Sequence, residues 1–194
     1  MKQIGLYFGS FNPVHYGHLK MAEHFLEKAQ IDTVWFVLSP QNPLKPKAVL
    51  WPDALREDLL QKAIEDNPRF TYCSIEQQRP APHYTIDTLE ILKDTYPQFS
   101  FSLLLGSDNL LQFPQWKDYN QLLDHYSIYV YPRQTEASDH APVEHPNIHF
   151  LKGPPLPFSA TEIRNRITKG ETVAQYMPKI CWDLLQKNFT LDKL

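Results

Sequence analysis

The chain has 194 residues, enough for one domain with a buried core, and 42% of it is hydrophobic. A net charge of -3 excludes the broad basic footprint of a nucleic-acid binder, so an anionic ligand must be held by a local cluster of donors. Two cysteines, Cys73 and Cys181, are too few for a disulfide scaffold and too far apart for a zinc knuckle, and are read as reduced side chains. No apolar run approaches the roughly 18 residues of a membrane span or forms a signal-peptide core, so a soluble, cytoplasmic protein is expected.

Along the chain, Ile4–Phe8 is a short apolar run ended by Gly9 and predicts a buried strand. Leu19, Met21, Ala22, Phe25, Leu26 and Ala29 recur at helical spacing and predict a helix over Gly17–Gln30. The β-branched and aromatic run Thr33–Leu38 predicts a second strand. A proline-studded stretch without period, Ser39–Pro52, reads as a long loop, and long loops are either functional or mobile. Then follow a helix over Asp53–Asp66, a strand over Phe70–Ile75, and a helix from Thr85, placed as its cap, to about Tyr96. Phe101–Leu105, Ile128–Tyr131 and Ile148–Leu151 predict further strands, Gln134–Asn147 a surface loop, and Thr161–Thr168 and Pro178–Lys187 the last helices.

Strands alternating with helices, several apolar throughout, predict an α/β fold: a Rossmann-like, doubly wound parallel sheet flanked by helices on both faces. We read the whole chain, 1–194, as a single domain whose C-terminal helical part, about 158–194, completes the site. Such sheets bind ligands beyond the carboxyl ends of their strands, where strand order reverses. The loops after Phe8, Leu38, Leu105 and Leu151 are therefore the places to search.

The first of these loops carries Gly9-Ser10-Phe11-Asn12-Pro13-Val14-His15-Tyr16-Gly17-His18. Gly9 permits close approach of backbone to a ligand, and the helix that starts near His15–His18 presents unpaired N–H groups that suit phosphate. His15 and His18, three apart, can face one point, although the spacing alone also fits a chance pair or half of a metal site. Near the other end stands Phe158-Ser159-Ala160-Thr161-Glu162-Ile163-Arg164, in which Ser159 or Thr161 can cap a helix and Arg164 lies one turn inside it. By itself this is an ordinary capped helix with a solvated arginine. Paired with the first cluster, it supplies hydroxyls, N–H groups and a guanidinium for a triphosphate.

Together these motifs resemble the nucleotidyltransferase superfamily marked by H-x-G-H and S-x-T-x-x-R. Within it the chain is most similar, over nearly its whole length, to the bacterial-type nicotinate-nucleotide adenylyltransferases. Tyr84-Thr85-Ile86-Asp87-Thr88-Leu89 is similar to the family's Y-T-x-D-T-L, Gly106-Ser107-Asp108 to G-x-D, Phe113-Pro114-Gln115-Trp116 to F-x-x-W, and Pro132-Arg133 to its strand-end P-R. The resemblance implies transfer of AMP from ATP to nicotinate mononucleotide, giving deamido-NAD and pyrophosphate, with Mg²⁺ accompanying ATP. It implies that His15, His18 and Arg164 are catalytic, with Gly9, Ser10, Phe11, Asp108, Ser159 and Thr161 joining them around ATP. Lys45, Tyr84, Thr85, Trp116, Lys117 and Arg133 would meet the mononucleotide. Trp116 would stack on the pyridine ring, and backbone N–H groups near Thr85 and Lys117 would receive the carboxylate. Asn42-Pro43-Leu44-Lys45 departs from the family's Pro-Pro-His-Lys, leaving Lys45 as the cation of that loop. The resemblance implies no resident protein-bound metal, and a homo-oligomer is compatible with it. A sister enzyme acting on nicotinamide mononucleotide and a non-catalytic nucleotide sensor are the alternatives.

Overall fold

A computed structural model of the chain describes residues 1–40, 50–132, 143–154 and 156–188. The strands are β1 (Lys2–Gly9), β2 (Thr33–Leu38), β3 (Phe70–Cys73), β4 (Phe99–Gly106), β5 (Ile128–Tyr131) and β6 (Ile148–Phe150). They form one parallel sheet in the order β3-β2-β1-β4-β5-β6, the doubly wound arrangement expected from the apolar strands. The order reverses between β1 and β4, which lie in register with Tyr7 beside Leu104.

Helices are α1 (Tyr16–Lys28), α2 (Asp53–Ile64), α3 (Thr85–Thr95), α4 (Ser107–Leu110), α5 (Tyr119–His125), α6 (Ala160–Thr168) and α7 (Lys179–Asn188). Side chains alternate across the sheet and so divide the core in two. Tyr7, Val34, Phe36, Leu38 and Leu104 point to the face covered by α1, α2, α6 and α7. Ile4, Leu6, Val37, Leu103 and Leu105 point to the face covered by α3 and α5. Ile163, Ile167, Cys181 and Leu185 of the C-terminal helices share the first core with Met21 and Phe25 of α1. Both cysteines are buried and free, and burial pushes the Cys181 thiol up to about 12.

Two elements differ from expectation. Helix α3 is preceded by Tyr84 rather than capped by Thr85, and no side chain caps it. The short helices α4 and α5 were not expected between β4 and β5: α5 has only seven residues, too short to display an apolar period, and its Leu122 and Leu123 do the burying.

The loops leaving β1 and β2 have no further strand to pair with, and a buried arginine holds them. Arg56 of α2 is 0% exposed. Its Nε donates to the Trp51 carbonyl, Nη1 to the carbonyls of Ser10 and Ser39, and Nη2 to the Pro40 carbonyl and the Asp53 carboxylate. The carbonyls that would otherwise be buried without a donor are thereby satisfied. Arg56→Ala should therefore destabilise the fold by about 3–5 kcal/mol, as loss of one partner of a buried charged network does. Thermal unfolding should show a melting temperature lower by roughly 10 °C. A change below about 1 kcal/mol would mean that the carbonyls find water or other donors.

Candidate active site

The loop from Gly9 to His15 leaves β1 at the point where strand order reverses. Phe11 adopts a left-handed backbone, φ 41°, and its ring is 1% exposed. The ring turns back beneath Gly9, where an added Cβ would lie 2.9 Å from it. Phe11 also meets Tyr7 and Phe36 with ring centroids 5.6 Å away, and His18 at 5.1 Å. Burial of this aromatic cluster holds a backbone conformation that a bulky residue otherwise avoids. Phe11 thus forms the floor under His18, and any contact it makes with a nucleotide is through its backbone.

The two histidines form the start of α1. His15 is the N-cap, and its Nδ1 accepts a hydrogen bond from the Gly17 N–H at 3.1 Å. The Nδ1 of His18 accepts from the His15 N–H at 3.3 Å. The pair is a capping box built from imidazoles, in which each ring satisfies a backbone donor. An Nδ1 that accepts carries no proton, so each neutral ring holds its proton on Nε2. The helix start therefore fixes the tautomer of each ring. The rings lie 3.8 Å apart, tilted by 32°. His15 is 1% exposed, with the Phe158 ring stacked beyond it at 6.2 Å.

The second cluster arrives at the same loop. Ser159 caps α6, its Oγ accepting from the Glu162 N–H at 3.4 Å. Arg164, one turn in, donates from Nη2 to the Thr161 hydroxyl at 3.0 Å and from Nη1 to the Asn12 carbonyl at 2.7 Å. Asn12 is itself fixed, because its side-chain oxygen accepts from the Trp51 N–H. Burial lowers the pKa of the Arg164 guanidinium, which nevertheless remains charged at neutral pH. The segment leading into α6 is tied down by a 2.9 Å contact between His24 Nε2 and the Lys152 carbonyl, and by the Tyr131 hydroxyl donating to the Pro154 carbonyl. Residues at opposite ends of the sequence thus converge on one stretch of backbone.

Asp108 follows β4 directly, in the first turn of α4, and so stands at the other lip of the switch point. The remaining expected residues gather on the α3 side of the sheet. Tyr84 and Thr85 begin α3, and Trp116 is half-buried against Phe113, ring centroids 5.1 Å apart. Lys117 is joined to Asp87 of α3 by a 2.7 Å ion pair. From inside, the Thr88 hydroxyl donates to the buried Glu76 carboxylate at 3.1 Å. Burial pushes that carboxyl up, against hydroxyl hydrogen bonds from Ser39 and Thr88 that favour its charged form. Lys45 and Arg133 lie outside the described residues. Sequence reasoning missed Arg56, Asn12 and Glu76. A solvated arginine or glutamate on a polar stretch looks the same in sequence as a buried one, and Asn12 acts through a carbonyl that every residue has.

The family model for cytidylyltransferase-like proteins matches residues 6–166. A probable nicotinate-nucleotide adenylyltransferase of Cytophaga hutchinsonii is 44% identical over 183 residues, covering 94% of this chain and 95% of the relative. One of Bacteroides fragilis is 39% identical, covering 98% and 94%. Among solved structures, the Plasmodium falciparum nicotinic acid mononucleotide adenylyltransferase complexed with NaAD superposes with a TM-score of 0.80 at 20% identity, covering 99% and 98%. That last likeness establishes the fold.

Gly17 is where the histidine loop and the α6 segment press together. A Cβ there would fall 2.7 Å from the Phe158 Cβ and 2.9 Å from the His15 ring. Gly17→Ala should therefore shift the denaturant midpoint downward, with a loss of about 1–3 kcal/mol from overpacking. An unchanged midpoint would show that the Phe158 segment can withdraw.

Proposed function

The chain belongs to the nicotinate-nucleotide adenylyltransferase family, and we propose that it transfers AMP from ATP to nicotinate mononucleotide, releasing pyrophosphate and giving deamido-NAD. The observation that carries the reading is the hydrogen bond from Arg164 to the Asn12 carbonyl, which sets the S-x-T-x-x-R helix against the histidine loop. The phosphate oxygen of the mononucleotide attacks the α-phosphorus of ATP in line, and the bond from that phosphorus to the bridging oxygen of the β-phosphate breaks. The leaving group is already a good one, so catalysis rests on positioning and on stabilising charge in flight.

Each group has a part in that scheme. The imidazoles of His15 and His18, fixed at the start of α1 by the capping box, receive the α-phosphate oxygens. Charge on those oxygens grows as the reaction proceeds, and donors fixed beforehand need no reorganisation. Ser159, Thr161, Arg164 and the first turn of α6 take the β- and γ-phosphates, with Gly9 and Ser10 lining the loop beneath. Magnesium enters as part of the substrate, a hard ion held by phosphates and waters, with Asp108 as the carboxylate at the switch point. Trp116 takes the pyridine ring, Tyr84 and Thr85 stand at the mouth of that half, and Lys45 and Arg133 supply cations for the acceptor phosphate. Among the described residues no helix is long and apolar enough to cross a membrane, and we place the reaction in the cytoplasm.

The test is turnover with ATP plus nicotinate mononucleotide against ATP plus nicotinamide mononucleotide. The acid should be the better substrate in kcat/KM; preference for the amide would overturn the assignment of the acceptor. His18→Ala, in the loop that carries both motif histidines, should lower kcat by about 10² to 10³ with little change in the KM for ATP. Near-normal turnover in that variant would remove His18 from catalysis.

A further inference from the structure

This inference rests on the acceptor assignment just made. If the carboxylate of nicotinate is received by backbone N–H groups near Thr85 and Lys117, those groups belong to two separate pieces of chain. One is the first turn of α3. Its N-cap, Tyr84, offers no capping side chain, and the first N–H groups of a helix have no partner within it. The other is the link after the turn Phe113–Gln115. There the Trp116 N–H closes onto the Phe113 carbonyl, and Asp118 takes a left-handed backbone, φ 50°, to start α5. Two donors from separate elements serve one carboxylate only if the gap between them is fixed.

The core fixes it from below: Phe113, Ile86 and Leu89 are all buried in the second core. From above, the side chain of Lys117 reaches back across the gap. Its Nζ lies 2.7 Å from Asp87 Oδ1, in the first turn of α3, and 5.2 Å from the centre of the Tyr84 ring at the N-cap. Lys117 therefore carries one of the two N–H groups on its backbone and grips the segment that carries the other. Hydrogen bonding to Asp87 holds its ammonium above the usual lysine range.

We propose that Lys117 and Asp87 form a staple that sets the spacing of these two N–H groups and thereby the preference for the acid over the amide. A carboxylate accepts at both oxygens, so two converging N–H donors are both satisfied. A carboxamide has one oxygen and one NH₂, and its NH₂ would face a donor, leaving two donors unpaired against each other. A site built this way rejects the amide for as long as both donors stay at carboxylate spacing. When the gap loosens, the amide turns its NH₂ aside and the distinction fades. Both residues act through the backbone groups they position and touch no reacting atom.

The alternative source of acid preference is simple attraction to the Lys117 ammonium, and Asp87→Asn separates the two. That substitution removes the ion pair, reducing the staple to a solvent-exposed hydrogen bond to a neutral amide oxygen, and leaves the ammonium unneutralised. Attraction alone would raise the acid-to-amide ratio of kcat/KM, whereas the staple lowers it. Lys117→Ala and Asp87→Asn should each lower the ratio about fivefold, the effect expected of an ion pair with a cation–π contact. The change should appear as a higher KM for nicotinate mononucleotide, with kcat and the KM for ATP within about twofold, a span below the staple's own effect. Combining the two should do no more than either alone, since they break one contact. Lys117→Arg should keep the ratio, and none of the variants should melt early, because exposed pairs contribute little to stability. A ratio that rises in Asp87→Asn, or stays unchanged in both single variants, overturns the staple while leaving the acid assignment intact. A wild type that prefers the amide overturns both.

Discussion

The loops that leave the carboxyl ends of β1 and β2 must bury their carbonyls beside a site that also has to remain open to a ligand. The Arg56 guanidinium reconciles these demands. It holds the carbonyls of Ser10, Ser39, Pro40 and Trp51 at once, from a side chain with no exposure. Its planar fork presents donors in fixed directions, which a lysine could not do. The Gly9 carbonyl accepts from Ser39, so the two loops are also joined directly. Trp51, held by Arg56, in turn donates to Asn12, and the Asn12 carbonyl receives Arg164. A chain of backbone contacts thus runs from α2 through both loops to α6.

On that base the histidine loop serves two ends with one set of atoms. The Nδ1 atoms cap α1, so helix stability and the placement of both rings are set by the same bonds. This explains the form of the motif physically. A ring at the N-cap and another at the third helical position complete a capping box, and the residue between them that faces Phe158 has room for hydrogen alone. The aromatic floor under His18 and the Phe158 ring beside His15 keep the imidazoles from turning.

The acceptor half is built on a different plan. In the proposed assignment the ATP half draws on α1 and α6, both packed on one face of the sheet, whereas α3 and the Trp116 segment pack on the other. The two halves therefore meet only at the carboxyl edge, where β1 and β4 part. Glu76 fixes α3 from within through Thr88, and Lys117 fixes it from without through Asp87.

Much of this was legible in the sequence. Apolar runs such as Thr33–Leu38 specify buried parallel strands because both faces of such a strand are covered, and that strand lies where its run predicts. His15, His18, Ser159 and Arg164 were named from the pairing of two motifs and the resemblance they carry, since spacing alone fits a chance pair and an ordinary cap as well. The cap of α3 was misplaced, because Thr85 has a capping side chain and Tyr84 does not, yet burial of Ile86 and Leu89 sets where the helix begins. Helix α5 was invisible for want of length. Arg56, Asn12 and Glu76 were invisible for a deeper reason: their work is to satisfy or present polar groups that only folding buries or brings near. The sequence by itself determined which chemistry is present and on which elements it rides, through local periodicity and local hydrogen bonding. Only the tertiary structure decided that residues 12 and 164 touch and that Lys117 reaches Asp87, because each depends on distances between segments that the chain separates.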